Sequence, residues 1–153
     1  MVIRTALEKD IDAVCRMYEE FYACNASEQP QYYRAAKESG VYPQQVIRNW
    51  KSVLLVAEES NTLMGFIHLE ECLTPPYNSI VPHRYAEVVD LFVAPAFRRT
   101  GIATALLQEA KRIAAERKLD YMELFVLNEA EGARLLYSRE NFQIVSYNMR
   151  CPL

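Results

Sequence analysis

Residues 86–103 read Ala-Glu-Val-Val-Asp-Leu-Phe-Val-Ala-Pro-Ala-Phe-Arg-Arg-Thr-Gly-Ile-Ala, and this stretch decides the fold. Its first eight residues favour a strand, and an apolar stripe that begins at Ile102 predicts a long helix. A helix N-terminus offers free backbone N–H donors and a partial positive charge, which together favour an anion such as phosphate. Gly101 removes the Cβ that would keep an anion from the backbone, and Arg98 and Arg99 add positive charges suited to phosphate oxygens.

Strands and helices follow one another on both sides of this stretch. The predicted strands are Val2–Arg4, Ser52–Glu58, Leu63–Glu70, Tyr85–Val93, Tyr121–Leu127 and Phe142–Met149, and the predicted helices cover residues 8–22, 32–37, 44–50, 101–117 and 130–140. Hairpins link the three strands between 52 and 93 into an antiparallel meander, and the strand–helix–strand unit over 87–127 predicts a right-handed parallel crossover. The prediction is an α/β fold whose mixed sheet is antiparallel first and parallel in the middle.

Composition narrows the class of protein. The length of 153 residues predicts one domain over 1–153, and a net charge of −3 argues against nucleic acid as the main partner. No apolar run approaches the roughly 20 residues of a membrane span, and no signal-peptide pattern opens the chain, so we expect a cytoplasmic protein without a membrane partner. The four cysteines have no metal-like spacing, and we expect reduced thiols and no metal site.

The motif Arg98-x-x-Gly101-x-Ala103 resembles the pyrophosphate loop of the GNAT family of N-acetyltransferases, which reads Arg/Gln-x-x-Gly-x-Gly/Ala. The strand end before Pro95 and the order and spacing of residues 121–142 also resemble the family, so the resemblance covers residues 2–150. It implies a single GNAT-like domain in which antiparallel N-terminal strands precede a splayed parallel pair, flanked by helices. It also implies acetyl-CoA as co-substrate and an amine acceptor.

The resemblance implies that the pantetheine arm of acetyl-CoA lies between the splayed strands. A backbone N–H near Val93 would then polarise the thioester carbonyl, as a donor of an oxyanion hole does. The residues implied in binding acetyl-CoA are Leu91, Phe92, Val93, Arg98, Arg99, Thr100, Gly101, Ile102, Ala103, Thr104, Asn128, Arg134 and Tyr137.

Amide formation from an alkylammonium requires a base, because only the neutral amine attacks. By the same resemblance Glu87 is the first candidate, and Asp90, Glu70 and Glu71 remain alternatives. Regular strand alternation places Glu87 and Asp90 on opposite faces, unless a bulge intervenes. Glu87 is equally consistent with a solvent-facing strand residue paired to a neighbouring cation.

The departing thiolate calls for a proton donor, and the family places a tyrosine on the helix after the second splayed strand. Tyr137 occupies that position and is the implied general acid, with a core tyrosine as the structural alternative. Asn128 would bind the pantetheine amides or cap the following helix.

The expected activity is transfer of an acetyl group from acetyl-CoA to a primary amine by direct attack in a ternary complex. The acceptor is a small amine or polyamine, an aminoglycoside-like compound, or a protein lysine or N-terminus, and the alternative function is a non-catalytic acyl-CoA-binding regulatory module. We expect residues 18–45 and 72–84 to form the acceptor pocket, and a homodimer is compatible with the family. The tyrosines in or beside these segments are Tyr18, Tyr22, Tyr32, Tyr33, Tyr42, Tyr77 and Tyr85.

Overall fold

The computed structural model describes residues 1–153 and contains a five-stranded mixed sheet in the order β1-β2-β3-β4-β5. The strands are β1 (Val2–Thr5), β2 (Ser52–Glu59), β3 (Thr62–Leu73), β4 (Arg84–Val93) and β5 (Tyr121–Leu124). The α-helices are α1 (Ile11–Glu28), α2 (Val41–Arg48), α3 (Ile102–Glu116) and α4 (Glu131–Arg139). Short 3₁₀ turns cover Glu8–Asp10 and Pro95–Phe97.

The sheet has the predicted mixture of directions. β1 to β4 pair antiparallel, and β5 pairs parallel to β4 after the crossover through α3. The predicted meander and the parallel unit are therefore confirmed, and the protein has an α/β fold.

Helix α3 covers one face of the sheet with the apolar stripe that its sequence predicts. Ile102, Leu106, Leu107 and Ala110 are buried in one cluster with residues of β2, β3 and β4. α4 adds Leu136 and Tyr137 at the margin of this cluster, where both are half-buried.

Helices α1 and α2 cover the other face through an aromatic cluster. Tyr18 of α1 lies against Phe66 of β3 with ring centroids 4.4 Å apart, and Phe66 contacts Phe92 of β4 at 6.0 Å. This cluster therefore fixes α1 over β3 and β4.

Two predicted elements are wrong. Residues 32–37 form no helix, because α1 instead continues to Glu28 and ends where Pro30 disfavours further helix. Residues 142–149 form no strand, and no backbone hydrogen bond involves any residue from 143 to 153. None of the helices is long and apolar enough to cross a membrane.

Candidate active site

β4 and β5 separate part-way along their length. Their pairing runs from Tyr85↔Tyr121 to Val88↔Leu124 and then stops. β4 continues to Val93 against β3, whereas residues 125–128 form no backbone hydrogen bond with any strand. The two strands therefore splay at their C-terminal ends, and a gap opens between Val89–Val93 and residues 125–128.

One wall of this gap presents unpaired backbone groups of β4. The Ala94 N–H donates to the Met64 carbonyl at 2.9 Å, on the β3 side. Because backbone groups alternate between the two sides of a strand, those of Leu91 and Val93 face the gap, where the Val93 carbonyl accepts a hydrogen bond from Arg98. An extended ligand with amide groups can pair with such an edge as an added strand would.

The gap leads to a row of free N–H donors at the start of α3. Arg99 and Gly101 have φ of 65° and 87°, a left-handed conformation that turns successive N–H groups into a concavity. The N–H groups of residues 99–104 donate no hydrogen bond within the protein. The Thr100 hydroxyl donates to the Phe97 carbonyl at 2.6 Å and fixes the turn. We call residues 99–104 the anion loop, because this geometry suits a phosphate.

The two arginines of the motif have different roles in the structure. Arg98 turns back to β4: its Nε donates to the Val93 carbonyl at 2.9 Å, and its guanidinium lies 5.7 Å from the centre of the Phe92 ring. Arg99 is exposed and its side chain forms no hydrogen bond or ion pair. Arg99 is therefore the free cation beside the anion loop, and Arg98 ties the loop to the end of β4. Arg134 of α4 is exposed as well.

Three carboxylates stand side by side across three adjacent strands. Glu70 of β3 is in register with Glu87 of β4, which is in register with Glu123 of β5. None of the three forms an ion pair or accepts a hydrogen bond from a cation. We call them the acidic row. Glu87 lies in its centre, where the Cys72 Sγ donates a weak hydrogen bond to it at 3.8 Å.

Tyrosines flank the acidic row on one side. Tyr85 and Tyr121 stack with ring centroids 5.1 Å apart and an interplanar angle of 12°. Tyr18, Tyr22 and Tyr42 lie together beneath α1 and α2, whereas Tyr32, Tyr33 and Tyr77 are exposed in loops. The structure thus gathers only part of the predicted tyrosine group around the ends of the strands.

A β-bulge changes the predicted direction of Asp90. The register between β3 and β4 shifts at His68/Leu69, so that His68 faces Asp90, Leu69 faces Val88, and Val89 is the extra residue. Asp90 and Glu87 consequently lie on the same face of the sheet, the face that α1 covers.

Asp90 belongs to a buried polar network that sequence reasoning did not identify. It accepts a hydrogen bond from the Tyr18 hydroxyl at 3.1 Å, and the His68 Nδ1 lies 3.7 Å from its Oδ2 and 3.1 Å from the Tyr42 hydroxyl. Burial and the charge of Asp90 raise the pKa of Tyr42 to about 12 and that of Tyr18 further. The His68 Nε2 is buried without a partner. Because residues 18, 42, 68 and 90 are distant in sequence, no local motif signals this network.

Glu71 points to the opposite face of the sheet. It accepts a hydrogen bond from Arg84 at 2.7 Å, and the Arg117 guanidinium lies 3.6 Å away. These two ion pairs engage Glu71 on the face opposite to Glu87 and Asp90.

Tyr137 lies on α4 at the edge of the gap. Its ring packs edge-on against Phe142 with centroids 5.7 Å apart, and its hydroxyl has no hydrogen-bond partner. Burial, followed by the negative charge of Asp90, raises the pKa of Tyr137 to about 12, so the phenol keeps its proton at neutral pH. Asn128 is exposed and does not cap α4, whose N-cap is Ala130.

Comparisons with known proteins agree with this geometry. The model of the Acetyltransferase (GNAT) family matches residues 11–142. The uncharacterized N-acetyltransferase YhfO of Bacillus subtilis is 27% identical over 159 residues, which cover 99% of each chain. An uncharacterized N-acetyltransferase of Archaeoglobus fulgidus is 29% identical over 143 residues, 94% of this chain and 93% of that one.

A solved structure shares the fold over the whole length. The crystal structure of a mutant BH1408 protein from Bacillus halodurans has a TM-score of 0.95 and 20% identity, covering 100% of this chain and 99% of that chain. The match of the family model over most of the chain, together with the named relatives, shows that this protein belongs to the GNAT family and is an N-acetyltransferase.

Proposed function

We propose that this protein transfers the acetyl group of acetyl-CoA directly to a primary amine that carries positive charge. The observation that carries the proposal is the gap between β4 and residues 125–128, which opens onto the free N–H groups of the anion loop. A ligand with an extended amide-containing arm and a pyrophosphate has the two features that these two sites complement.

The proposed binding mode uses the backbone more than the side chains. The gap-facing groups of Leu91 pair with the pantetheine amides and the Val93 N–H faces the thioester, while Phe92 is buried beneath α1 and acts through packing. The N–H groups from Arg99 through Thr104, which include those of Thr100, Gly101, Ile102 and Ala103, hold the pyrophosphate. The proposal also assigns acetyl-CoA binding to Asn128, which follows the end of β5, and to Arg134 of α4, both of which are exposed.

The proposed chemistry assigns one step to each group. Acetyl-CoA supplies an acetyl thioester. Glu87 takes a proton from the acceptor ammonium, directly or through water, and the neutral amine attacks the thioester carbonyl. The Val93 N–H donates to the carbonyl oxygen as negative charge develops there. Tyr137 donates its proton to the departing sulfur, which leaves CoA as the free thiol, and the second proton that the attacking nitrogen loses as the amide forms restores the phenol.

The acidic row supports an acceptor with more than one positive charge. Adjacent strands lie about 4.8 Å apart, so three unpaired carboxylates extend over roughly 10 Å of surface. A short polyamine presents ammonium groups over a comparable length, and we place this class first among the acceptors.

Four free cysteines support a cytoplasmic location, since disulfides persist in oxidising compartments.

The test is release of free thiol from acetyl-CoA in the presence of different amines. The panel contains polyamines, monoamines, aminoglycosides, and peptides with a lysine or a free N-terminus, and a reaction without acceptor corrects for hydrolysis. We expect polyamines to give the highest kcat/KM. A sample that binds acetyl-CoA but acetylates no amine would instead favour a non-catalytic acyl-CoA-binding module.

Removal of Arg99 tests the anion loop. We expect Arg99→Ala to weaken CoA binding by roughly three- to tenfold at low ionic strength, because an exposed cation attracts phosphate and salt screens that attraction. The difference in CoA affinity between Arg99→Ala and the native protein should shrink as salt is added. Calorimetric titration with CoA at two salt concentrations measures both effects.

Two further variants separate the roles of the arginines. Arg98→Ala should also lower CoA affinity, and it should lower the Tm without ligand because it releases the Val93 carbonyl. Arg16→Ala, which removes an exposed arginine of α1 without an ion pair, should change neither value. Equal CoA affinity in the native protein, Arg98→Ala and Arg99→Ala would contradict the phosphate assignment.

A further inference from the structure

Asp90 is a carboxylate at the start of the gap, and it forms no ion pair with a lysine or an arginine. Backbone pairing between β4 and β5 ends at Val88↔Leu124, and Asp90 lies two residues further along β4. Its side chain is only 16% accessible, and the basic side chain beside it is the imidazole of His68. A largely buried carboxylate without a cationic partner is costly, so a positively charged ligand would stabilise it.

The two oxygens of Asp90 differ in their surroundings. Oδ2 accepts the hydrogen bond of the Tyr18 hydroxyl at 3.1 Å and lies 3.7 Å from the His68 Nδ1. Oδ1 accepts no hydrogen bond from the protein, and it is not sealed in the core, since the His68 Nε2 is the one buried side-chain nitrogen or oxygen that lacks a partner. One oxygen therefore holds the carboxylate in place, and the other is free to accept a hydrogen bond from a ligand.

The groups around Oδ2 are themselves fixed. The Tyr18 side chain is buried and packs against Phe66 of β3, with ring centroids 4.4 Å apart. Tyr42 of α2 lies edge-on to Tyr18, and its hydroxyl is 3.1 Å from the His68 Nδ1. His68 leaves its Nε2 buried without a partner, which lowers stability in a way that an apolar residue would not. The network thus fixes the direction of Asp90 although it weakens the core.

The bulge at Val89 brings Asp90 and Glu87 to the same face of the sheet. Their partners on β3, His68 and Glu70, are two residues apart, so the two carboxylate residues are roughly 7 Å apart along the strand direction. An ammonium group has three N–H donors and can donate to both side chains from a position between them. The arrangement therefore suits one ammonium at the start of the gap.

We propose that Oδ1 of Asp90 binds the reacting ammonium of the acceptor and that the network around Oδ2 positions this carboxylate. The positioning residues are Tyr18, His68 and Tyr42. The inference rests on the proposed function and names within it the group that holds the nitrogen before Glu87 removes a proton. Asp90 binds the nitrogen without taking its proton.

The first test compares butylamine, which has one ammonium, with putrescine, the diamine of the same length, in the thiol-release assay. We expect Asp90→Asn to raise the KM of both amines by about tenfold and to leave kcat within about threefold of the native value, as loss of a binding contact does. Glu123→Gln is the matched control and should raise the KM of putrescine alone, because butylamine has no second ammonium for that carboxylate. A native KM for butylamine in Asp90→Asn, or a loss of kcat as large as that of Glu87→Gln, would overturn the proposal.

Variants of the network test the positioning role. Tyr18→Phe removes the hydroxyl that holds Oδ2 and keeps the ring, and it should raise the KM of butylamine about threefold. The double variant Tyr18→Phe with Asp90→Asn should have the KM of Asp90→Asn alone, because Tyr18 acts through Asp90. Tyr22→Phe removes a hydroxyl of the same aromatic cluster that donates to Glu38 instead, and it should leave this KM unchanged. Additive effects in the double variant, or equal effects of Tyr18→Phe and Tyr22→Phe, would contradict the positioning role.

A binding experiment separates failure of this inference from failure of the proposed function. Butylamine is added to protein saturated with CoA, which carries no acetyl group, and saturation-transfer NMR detects the bound amine. Native protein that binds butylamine but does not acetylate it, while Asp90→Asn does not bind it, would contradict the proposed function and support the ammonium site. Native protein that binds no butylamine would overturn the ammonium site whatever its activity. The Tm of each variant without ligand verifies that it is folded.

Discussion

Replacement of Glu87 by glutamine should lower kcat by about 10²- to 10³-fold at pH 7, the range expected when a general base is removed. Glutamine keeps the size and hydrogen-bonding capacity of the side chain but cannot accept a proton from an ammonium. The proposed acetyl-CoA site lies further along β4, so acetyl-CoA affinity should be unchanged. Steady-state kinetics with the best amine of the panel, together with calorimetric titration of acetyl-CoA, measure the two quantities.

The loss of activity in Glu87→Gln should depend on pH in a way that a structural defect would not produce. Without a base, the variant depends on acceptor that is already neutral, and that fraction rises tenfold per pH unit until the amine pKa of about 10. The kcat/KM of the native enzyme rises less over the same pH range, because Glu87 removes the proton of the acceptor within the complex. The difference in kcat/KM between the two proteins should therefore narrow from pH 7 to pH 10.

The other carboxylates of the acidic row are matched controls. Glu70→Gln and Glu123→Gln remove one charge each from the positions flanking Glu87. We expect both to raise the KM of a polyamine and to leave kcat near the native value, because they attract the acceptor without taking its proton. If Glu70→Gln or Asp90→Asn shows the large loss of kcat and Glu87→Gln does not, Glu87 is not the base.

The β4–α3 unit could be predicted because its signals are local. The strand, the loop glycine and the stripe from Ile102 to Ala110 each depend on neighbouring residues, and the structure confirms the strand, the turn and the helix. Gly101 has a φ of 87°, a conformation that glycine adopts without steric cost. The sequence does not predict the direction in which the Arg98 side chain turns, because its partner is the Val93 carbonyl, which only the folded end of β4 brings within reach.

The bulge in β4 shows where strand periodicity fails. Alternation alone assigns Glu87 and Asp90 to opposite faces, and one extra residue at Val89 places them on the same face. A bulge depends on how two strands pair, so the sequence of one strand does not reveal it. The network of His68 and Asp90 depends on this same register.

The predicted strand at 142–149 illustrates a second kind of failure. The apolar alternation of the segment is real, but a strand needs a partner to satisfy its backbone groups. The segment forms no backbone hydrogen bond with any strand and remains unpaired. Sequence pattern thus predicts the capacity to form a strand, whereas pairing depends on what lies beside it.

Replacement of Tyr137 by phenylalanine should lower kcat by about 10²-fold while acetyl-CoA affinity changes little, as expected for the loss of a general acid. The hydroxyl has no hydrogen-bond partner, and the phenylalanine ring keeps the edge-on contact with Phe142, so the fold should be unaffected. Stopped-flow measurement of thiol release after mixing with saturating amine reports the chemical step, and the Tm serves as the control for folding.

The pH profile of activity and the choice of thioester together distinguish Tyr137 as a proton donor from Tyr137 as a packing residue. The pKa of Tyr137, raised to about 12 by burial and by Asp90, keeps the phenol protonated from pH 7 to pH 10. A proton donor with this pKa predicts no alkaline loss of activity over that range, and Tyr137→Phe should lower the whole profile by the same factor. The thiolate of a more acidic thiol departs more readily without a proton. The Tyr137→Phe variant should therefore be less impaired with an acetyl thioester of such a thiol than with acetyl-CoA. A variant with native turnover, or one equally impaired with both thioesters, would remove Tyr137 from the proton-transfer step and leave it as a packing residue of α4.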